Sequence, residues 1–237
     1  MSTEHSNAKA TVMILDGSAT LRIESSGAAR VIPLGSDWKK VSNIRFSPNG
    51  SRIAIIAHAA TPQLSIVDVQ GARVIVGYPI ASAAVSPDGR AVVFEHLREN
   101  QSQDKSRFSL VPLNAPDDPP LPQPVMFELH TEGGIHSRHS EFQWTDPEVV
   151  AFIGVAGTEA RVFAFQVDQT GRIQKRGGKA LPVGDLVDAA SLKAGVQPPI
   201  ALAGAEITRV PSAGLTLRLQ FPPNPSLRLR TTDVHLW

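Results

Sequence analysis

Apolar residues in this chain recur mostly at every second position, and the runs that carry them are short. Val12, Ile14, Leu21 and Ile23 alternate with Thr11, Met13, Thr20 and Arg22 on either side of Asp16-Gly17. That is a hairpin pattern, because strand side chains alternate between two faces and Asp-Gly supplies the positive φ values of a two-residue turn. A third strand is expected over 29–34. Further on, Ile44 to Phe46 and Ile53 to Ile56 flank Ser47-Pro48-Asn49-Gly50, a second hairpin in which Pro presets the turn and Gly takes its left-handed position. Helical periodicity is hardly sustained anywhere. The one candidate, 186–194, is too short and too poorly capped to form a helix. The pattern predicts an all-β protein.

The second hairpin occurs twice. Ala84-Val85-Ser86-Pro87-Asp88-Gly89-Arg90-Ala91-Val92-Val93-Phe94 repeats Arg45 to Ile55, with Phe46 and Val85 lying 39 positions apart. A period of about 40 residues with four strands per repeat is the signature of a β-propeller blade. Phe142 to Phe152 makes a degenerate third copy, where Asp146-Pro147 shortens the turn and the glycine is missing.

Spacing then divides the chain into a disordered tail over 1–9 and one propeller domain over 10–237. The domain has about five four-stranded units, near 10–36, 37–78, 79–130, 131–183 and 184–221, and a closing strand within 226–237. In the second unit strands are expected near 43–47, 52–58, 63–69 and 72–78. In the third they are expected near 80–85, 90–97, 107–113 and 124–130, in the fourth near 139–144, 148–155 and 160–167 with a weaker outer strand between 172 and 183, and in the fifth near 185–191, 199–204, 205–210 and 215–221. The first unit shows only three strands and the chain ends with a spare one. Pairing Leu227–Arg230 or Val234–Trp237 with the 11–15 strand would complete that unit and close the ring, removing exposed sheet edges.

The motif aromatic or apolar-Ser-Pro-Asp/Asn-Gly, followed by a β-branched strand, resembles the repeat of TolB-like, WD-like bacterial β-propellers. The resemblance rests on 46–55 and 85–94; the Gly-His and Trp-Asp pairs of eukaryotic WD repeats are absent. It implies a fold and no particular reaction, because propellers carry many unrelated functions. Some propellers of this kind place histidines at the channel, for metal or substrate.

Composition narrows the function classes. With 237 residues, 42% hydrophobic and 19% charged, the chain can bury a core; a net charge of +1 offers no bulk attraction to nucleic acid or anionic membrane. Cysteine is absent, which removes disulfides and thiolate chemistry. No apolar run approaches the roughly 20 residues of a membrane span, and residues 1–9 lack the apolar segment of a signal peptide. The chain reads as soluble and cytoplasmic, or periplasmic if a signal peptide has been removed.

Candidate chemistry is sparse. His130, His136 and His139, around Gly133-Gly134, form the one dense group of metal-competent side chains. On an extended strand His136 and His139 would point to opposite faces, so they read as polar loop and strand residues before they read as ligands. There is no Gly-x-Ser-x-Gly elbow and no phosphate-cradling glycine loop. Ser36 to Lys39 matches Ser-x-x-Lys by chance, between strands. Six of the thirteen residues from Pro112 to Pro124 are proline, a stiff solvated connection with the composition of a peptide-recognition segment. Arg172, Lys175, Arg176 and Lys179 read as a solvated hairpin tip, and Trp38, Trp144 and Trp237 as strand-end packing. Ser47, Pro48, Asn49 and Gly50, with Ser86, Pro87, Asp88 and Gly89, are structural turn residues. The expected function is a non-catalytic scaffold whose loops bind a protein partner, without cofactor, nucleic acid or membrane insertion. The alternatives are a small propeller enzyme or metal-dependent binder using the three histidines, and a propeller module of a larger protein.

Overall fold

In a computed structural model, the structure describes residues 1–97, 105–130, 138–139, 142–156, 159–181, 204–210, 214–220 and 232–235. Among them there are nineteen strands and no helix, hence no helix long and apolar enough to cross a membrane. Every strand pairing with a described register is antiparallel. The chain forms two compact units, the first comprising Met1–Arg98, Phe108–Val125 and Asp168–Arg172, the second Glu99–Arg107, Met126–Val167 and Ile173–Trp237.

The chain opens with a four-stranded meander of β1 (Ser2–His5), β2 (Ala8–Leu15), β3 (Ser18–Ser25) and β4 (Ala28–Gly35). Residues 2–5 and 8–9 are therefore strand, joined by a turn at 6–7, where disorder was expected. Ser2 to His5 carry no apolar residue, and their order comes from pairing with Ala8 to Thr11 and from the His5 ring, 5.7 Å from that of Phe46. The first unit of the repeat thus has four strands, not three. The place beside β2 that a C-terminal strand was expected to fill belongs to β1.

Next comes a seven-stranded sheet in the order β11-β10-β9-β8-β7-β6-β5. Its strands are β5 (Lys40–Phe46), β6 (Arg52–His58), β7 (Gln63–Asp68), β8 (Arg73–Val85), β9 (Ala91–His96), β10 (Lys105–Pro112) and β11 (Gln123–His130). β8 runs unbroken for 13 residues. Its first half pairs with β7 up to Pro79, and its second half pairs with β9 from Ile80. Two four-stranded repeats thus share one continuous strand, where two strands with a break at residue 79 were expected.

The second unit contains β12 (Arg138–His139), β13 (Gln143–Asp146), β14 (Val149–Ala156), β15 (Glu159–Val167) and β16 (Ile173–Leu181). β12 and β13 both pair with β14, so the single strand expected near 139–144 is two short ones. A separate three-stranded sheet follows, from β17 (Gly204–Val210), β18 (Gly214–Gln220) and β19 (Thr232–His235). β19 pairs with β18, with Val234 opposite Leu217. The other proposed closing stretch, 227–230, and the strand expected at 185–191 lie outside the described residues.

Two apolar layers hold the first unit together. Ala10, Val12, Leu21, Ile23 and Ile32 from the opening meander pack with Trp38, Ile44, Phe46, Ile53, Ile55 and Val67. The other side of β6 and β7, with Ala54, Ile56, Leu64 and Ile66, packs with Ile80, Val85, Val92, Phe94, Val111 and Leu113. Complete burial of each such Ile or Leu contributes about 1.5–3 kcal/mol. In the second unit an aromatic group takes the same part: Phe152 lies 5.2 Å from both Phe142 and Phe163, with edge-on and tilted rings.

Candidate interaction site

Three polar turns of the first unit are closed by the same kind of backbone bonds, and two of them share their side-chain wiring as well. In the β5–β6 turn, the Ser47 amide donates to the Arg52 carbonyl and the Gly50 amide to the Ser47 carbonyl, both at 2.9 Å. The Asn49 side-chain oxygen accepts from the Ser51 amide at 3.0 Å and from the Ser47 and Ser51 hydroxyls at 2.7 Å. In the β8–β9 turn, Ser86 and Asp88 repeat the arrangement, and the Arg90 guanidinium closes on Asp88 at 2.5 Å. Gly50 sits at φ 69° and Gly89 at φ 81°. A Cβ on Gly89 would overlap the Phe46 carbonyl, so backbone contact as well as conformation demands glycine there.

The third turn, Asp168-Gln169-Thr170-Gly171-Arg172, is one that sequence reasoning missed. It has no proline, but Asp168 accepts from the amides of Thr170 and Arg172 at 2.8 and 3.0 Å, and Gly171 sits at φ 87°. Burial alone would push the Asp168 carboxyl up. The Thr170 hydroxyl, the Arg172 and Thr170 amides and the Arg172 charge outweigh it and hold it below the usual carboxylate range. An Asp-x-Thr-Gly signature, read as an Asx turn, would have found this element.

The proline-rich segment is fastened at its N-terminal end, contrary to the solvated connection expected. Leu113, Ala115 and Pro120 are buried, while Pro116, Asp118, Pro119 and Leu121 are exposed. The fastener is Arg52, only 7% exposed at the start of β6. Its guanidinium donates to the carbonyls of Leu113 at 3.2 Å, Ala115 at 2.7 Å and Asp117. Burial lowers the Arg52 pKa, and the charges of Asp118, Asp117 and Asp68 oppose that shift without cancelling it. Asn114 adds two ties: its side-chain oxygen accepts from the Asn49 amide at 3.2 Å, and its NH2 donates to the Gln169 carbonyl at 2.9 Å. Arg172 pairs with Asp117 at 2.6 Å, which raises the arginine's pKa. Two of the three turns and residues 113–120 are thereby tied into one polar surface, and residue 121 projects from it as a 65% exposed leucine.

The other candidates fall elsewhere. His130 ends β11 and His139 lies in β12, but the side chains of His130 and His139 and the whole of His136 are outside the described residues. Among the described residues no group of three or more metal-competent side chains gathers. Lys175, Arg176 and Lys179 lie along β16 rather than at a hairpin tip; Arg172 alone of that cluster is in a turn. Trp38 is 2% exposed and its amide donates to the Gly17 carbonyl at 3.0 Å. A serine–histidine pair also emerges: His96 Nε2 lies 2.7 Å from the Ser109 hydroxyl, and its ring is 4.7 Å from that of Phe94. Ser109 is 5% exposed, so its hydroxyl satisfies a half-buried histidine and presents little surface to a substrate.

No protein-family model and no curated protein matches the chain. Solved structures similar to it include the tricorn protease, at 12% identity over 68% of this chain and 17% of that one, with TM-score 0.40. TolB from Acinetobacter baumannii is similar at 13% identity over 91% of this chain and 50% of that one, TM-score 0.34. The β-propeller domain of the Trilobed protease from Pyrococcus furiosus is similar at 12% identity over 98% of this chain and 82% of that one, TM-score 0.38. The chain spans about half the length of TolB and less than a fifth of the tricorn protease.

Proposed function

We propose that this chain is a non-catalytic β-propeller scaffold whose tied turns bind a protein partner. Support for the propeller comes from the 39-residue repeat and from four-stranded antiparallel meanders following one another in the chain. The observation that carries the binding role is the Arg52-anchored segment. A loop held by three carbonyl bonds, with an exposed Leu121 beyond its buried part, loses little conformational freedom when it docks. An exposed apolar side chain on a fixed polar frame has the makeup of an interface anchor and its rim.

Photocrosslinking residues at Pro48, Gln169 and Leu121 test this reading in the cells that make the protein, with the same residue at Thr20 as the reference. A discrete protein adduct at the first three positions and none at Thr20 is expected. Equal labelling at all four positions, or none with the folded protein present, overturns the proposal.

A further inference from the structure

β16 is the terminal strand of its sheet; among the described strands it pairs only with β15. Gln174, Lys175, Arg176, Gly178, Lys179 and Ala180 are all exposed, and Gly177 is half-buried. Edge strands tolerate such exposure when charge keeps other strands away, and lysine is the usual guard. Here the charges have one sign and a definite layout. Pairing of Gln166 with Lys175, Ala164 with Gly177 and Val162 with Lys179 puts Lys175, Gly177 and Lys179 on one face. Pairing of Phe165 with Arg176, Phe163 with Gly178 and Arg161 with Ala180 puts Arg176, Gly178 and Arg161 on the other. Each face therefore carries two cations about 13 Å apart, four residues along the strand direction, with a glycine between them. No ion pair or hydrogen bond engages the side chains of Arg161, Lys175, Arg176 or Lys179 among the described residues.

We infer that β16 is a docking edge for an acidic, extended segment of a partner protein, which adds to the sheet as a further strand. Charge complementarity selects the occupant. Carboxylates at alternate positions of an extended strand all fall on one face about 7 Å apart, so every second one comes level with Lys175 and Lys179 when that face is aligned with theirs. Gly177 and Gly178 have no side chain, which lets a second backbone approach the middle of the edge. Its residues are not those of the tied turns, and among the described strands none pairs with the outer edge of β16.

The test uses the full chain and a fluorescein-labelled ten-residue peptide with glutamate at alternate positions and threonine between, followed by anisotropy at low salt. Saturable binding is expected, weakened at least tenfold by the double substitution Lys175→Glu and Lys179→Glu; both side chains are exposed, so the fold is retained. A peptide N-methylated at alternate backbone nitrogens keeps its charge and should also bind at least tenfold more weakly. Undiminished binding of the N-methylated peptide overturns strand addition. Equal affinity for a single-stranded oligonucleotide of the same charge overturns the peptide assignment and marks a general polyanion patch. Lack of any peptide binding overturns the inference outright, and leaves the crosslinks from Pro48, Gln169 and Leu121 as a separate matter.

Discussion

Along β6 every residue from Arg52 to Ala57 is buried, whereas along β2 burial alternates, with Ala10 and Val12 inside and Met13 and Leu15 44% and 75% exposed. Both strands occupy the second position of a four-stranded meander. The difference lies in how many faces are covered. β6 packs through Ile53 and Ile55 into one apolar layer and through Ala54 and Ile56 into the other. The opening meander contributes Val12, Leu21, Ile23 and Ile32 to a single layer, and Val31 on its other face is 60% exposed. A strand covered on both faces reads as a continuous apolar run, and one covered on a single face reads as an alternation. The written pattern is thus a record of each meander's neighbours. β14 and β15 belong with β6: Val149 to Phe152 and Val162 to Phe165 are buried without a break.

The comparison is broken most forcefully from the core. Ile55→Ala and Leu64→Ala remove side chains from opposite faces of the central strands, both fully buried, and each should cost about 2–5 kcal/mol in urea unfolding. Leu21→Ala, on the covered face of the opening meander, should fall in the same range. Val31→Ala, on its other face, should stay within about 0.5 kcal/mol. A large loss at Val31 would mean that the outer face of the opening meander is covered in solution.

Glycine substitutions come next. Alanine at Gly89 meets the Phe46 carbonyl, which is backbone, while alanine at Gly50 meets the His5 ring, a side chain that can turn aside. Both positions also carry the strain of a positive φ. Gly89→Ala should therefore cost more than Gly50→Ala, by about 1 kcal/mol or more. Combining Gly50→Ala with His5→Ala should recover part of the Gly50 loss. Equal costs at the two glycines would show that the Phe46 carbonyl moves aside as readily as a side chain.

Much of this architecture was legible, and the gaps have physical causes. β5, β6, β7 and β9 follow from apolar runs and repeated turn chemistry, because those strands are held by what their own side chains bury. β1 was illegible because Ser2 to His5 are ordered by backbone pairing and a histidine ring, neither of which leaves an apolar mark. β8 looked like two strands because Gly77 and Pro79 resemble a break, yet the strand passes through both. At the candidate site the turns could be read and the tie could not. Arg52 bonds carbonyls 61 to 65 positions away, and a backbone carbonyl has no residue-type signature. A charged residue next to Ile53, Ala54, Ile55 and Ile56 was the available hint.

Removing that tie is the third test. Arg52→Met keeps most of the buried volume but leaves three carbonyls without their donor, a loss of about 1–3 kcal/mol. Its distinctive effect is local: faster amide exchange at residues 113–118, with β2 and β3 keeping their protection. Uniform acceleration across the first unit would mean that Arg52 supports the fold as a whole and does not fasten this segment in particular.

The smallest effect separates two turns closed by an Asx side chain. Asn49 accepts the Ser51 amide and Asp168 the amides of Thr170 and Arg172, but only Asp168 titrates. Its folded pKa is depressed, so its contribution is complete above the unfolded value of about 3.9 and is lost as pH falls through the lower folded value. Acid should therefore loosen the Asp168–Arg172 turn and spare Ser47–Arg52. After correction for the intrinsic pH dependence of exchange, the Thr170 and Arg172 amides should lose protection below about pH 4, while those of Ser51 and Arg52 keep theirs. Asp168→Asn should abolish the difference, since an amide oxygen accepts the same bonds at any pH. Loss of protection in both turns over the same pH range would place the acid-sensitive group outside them.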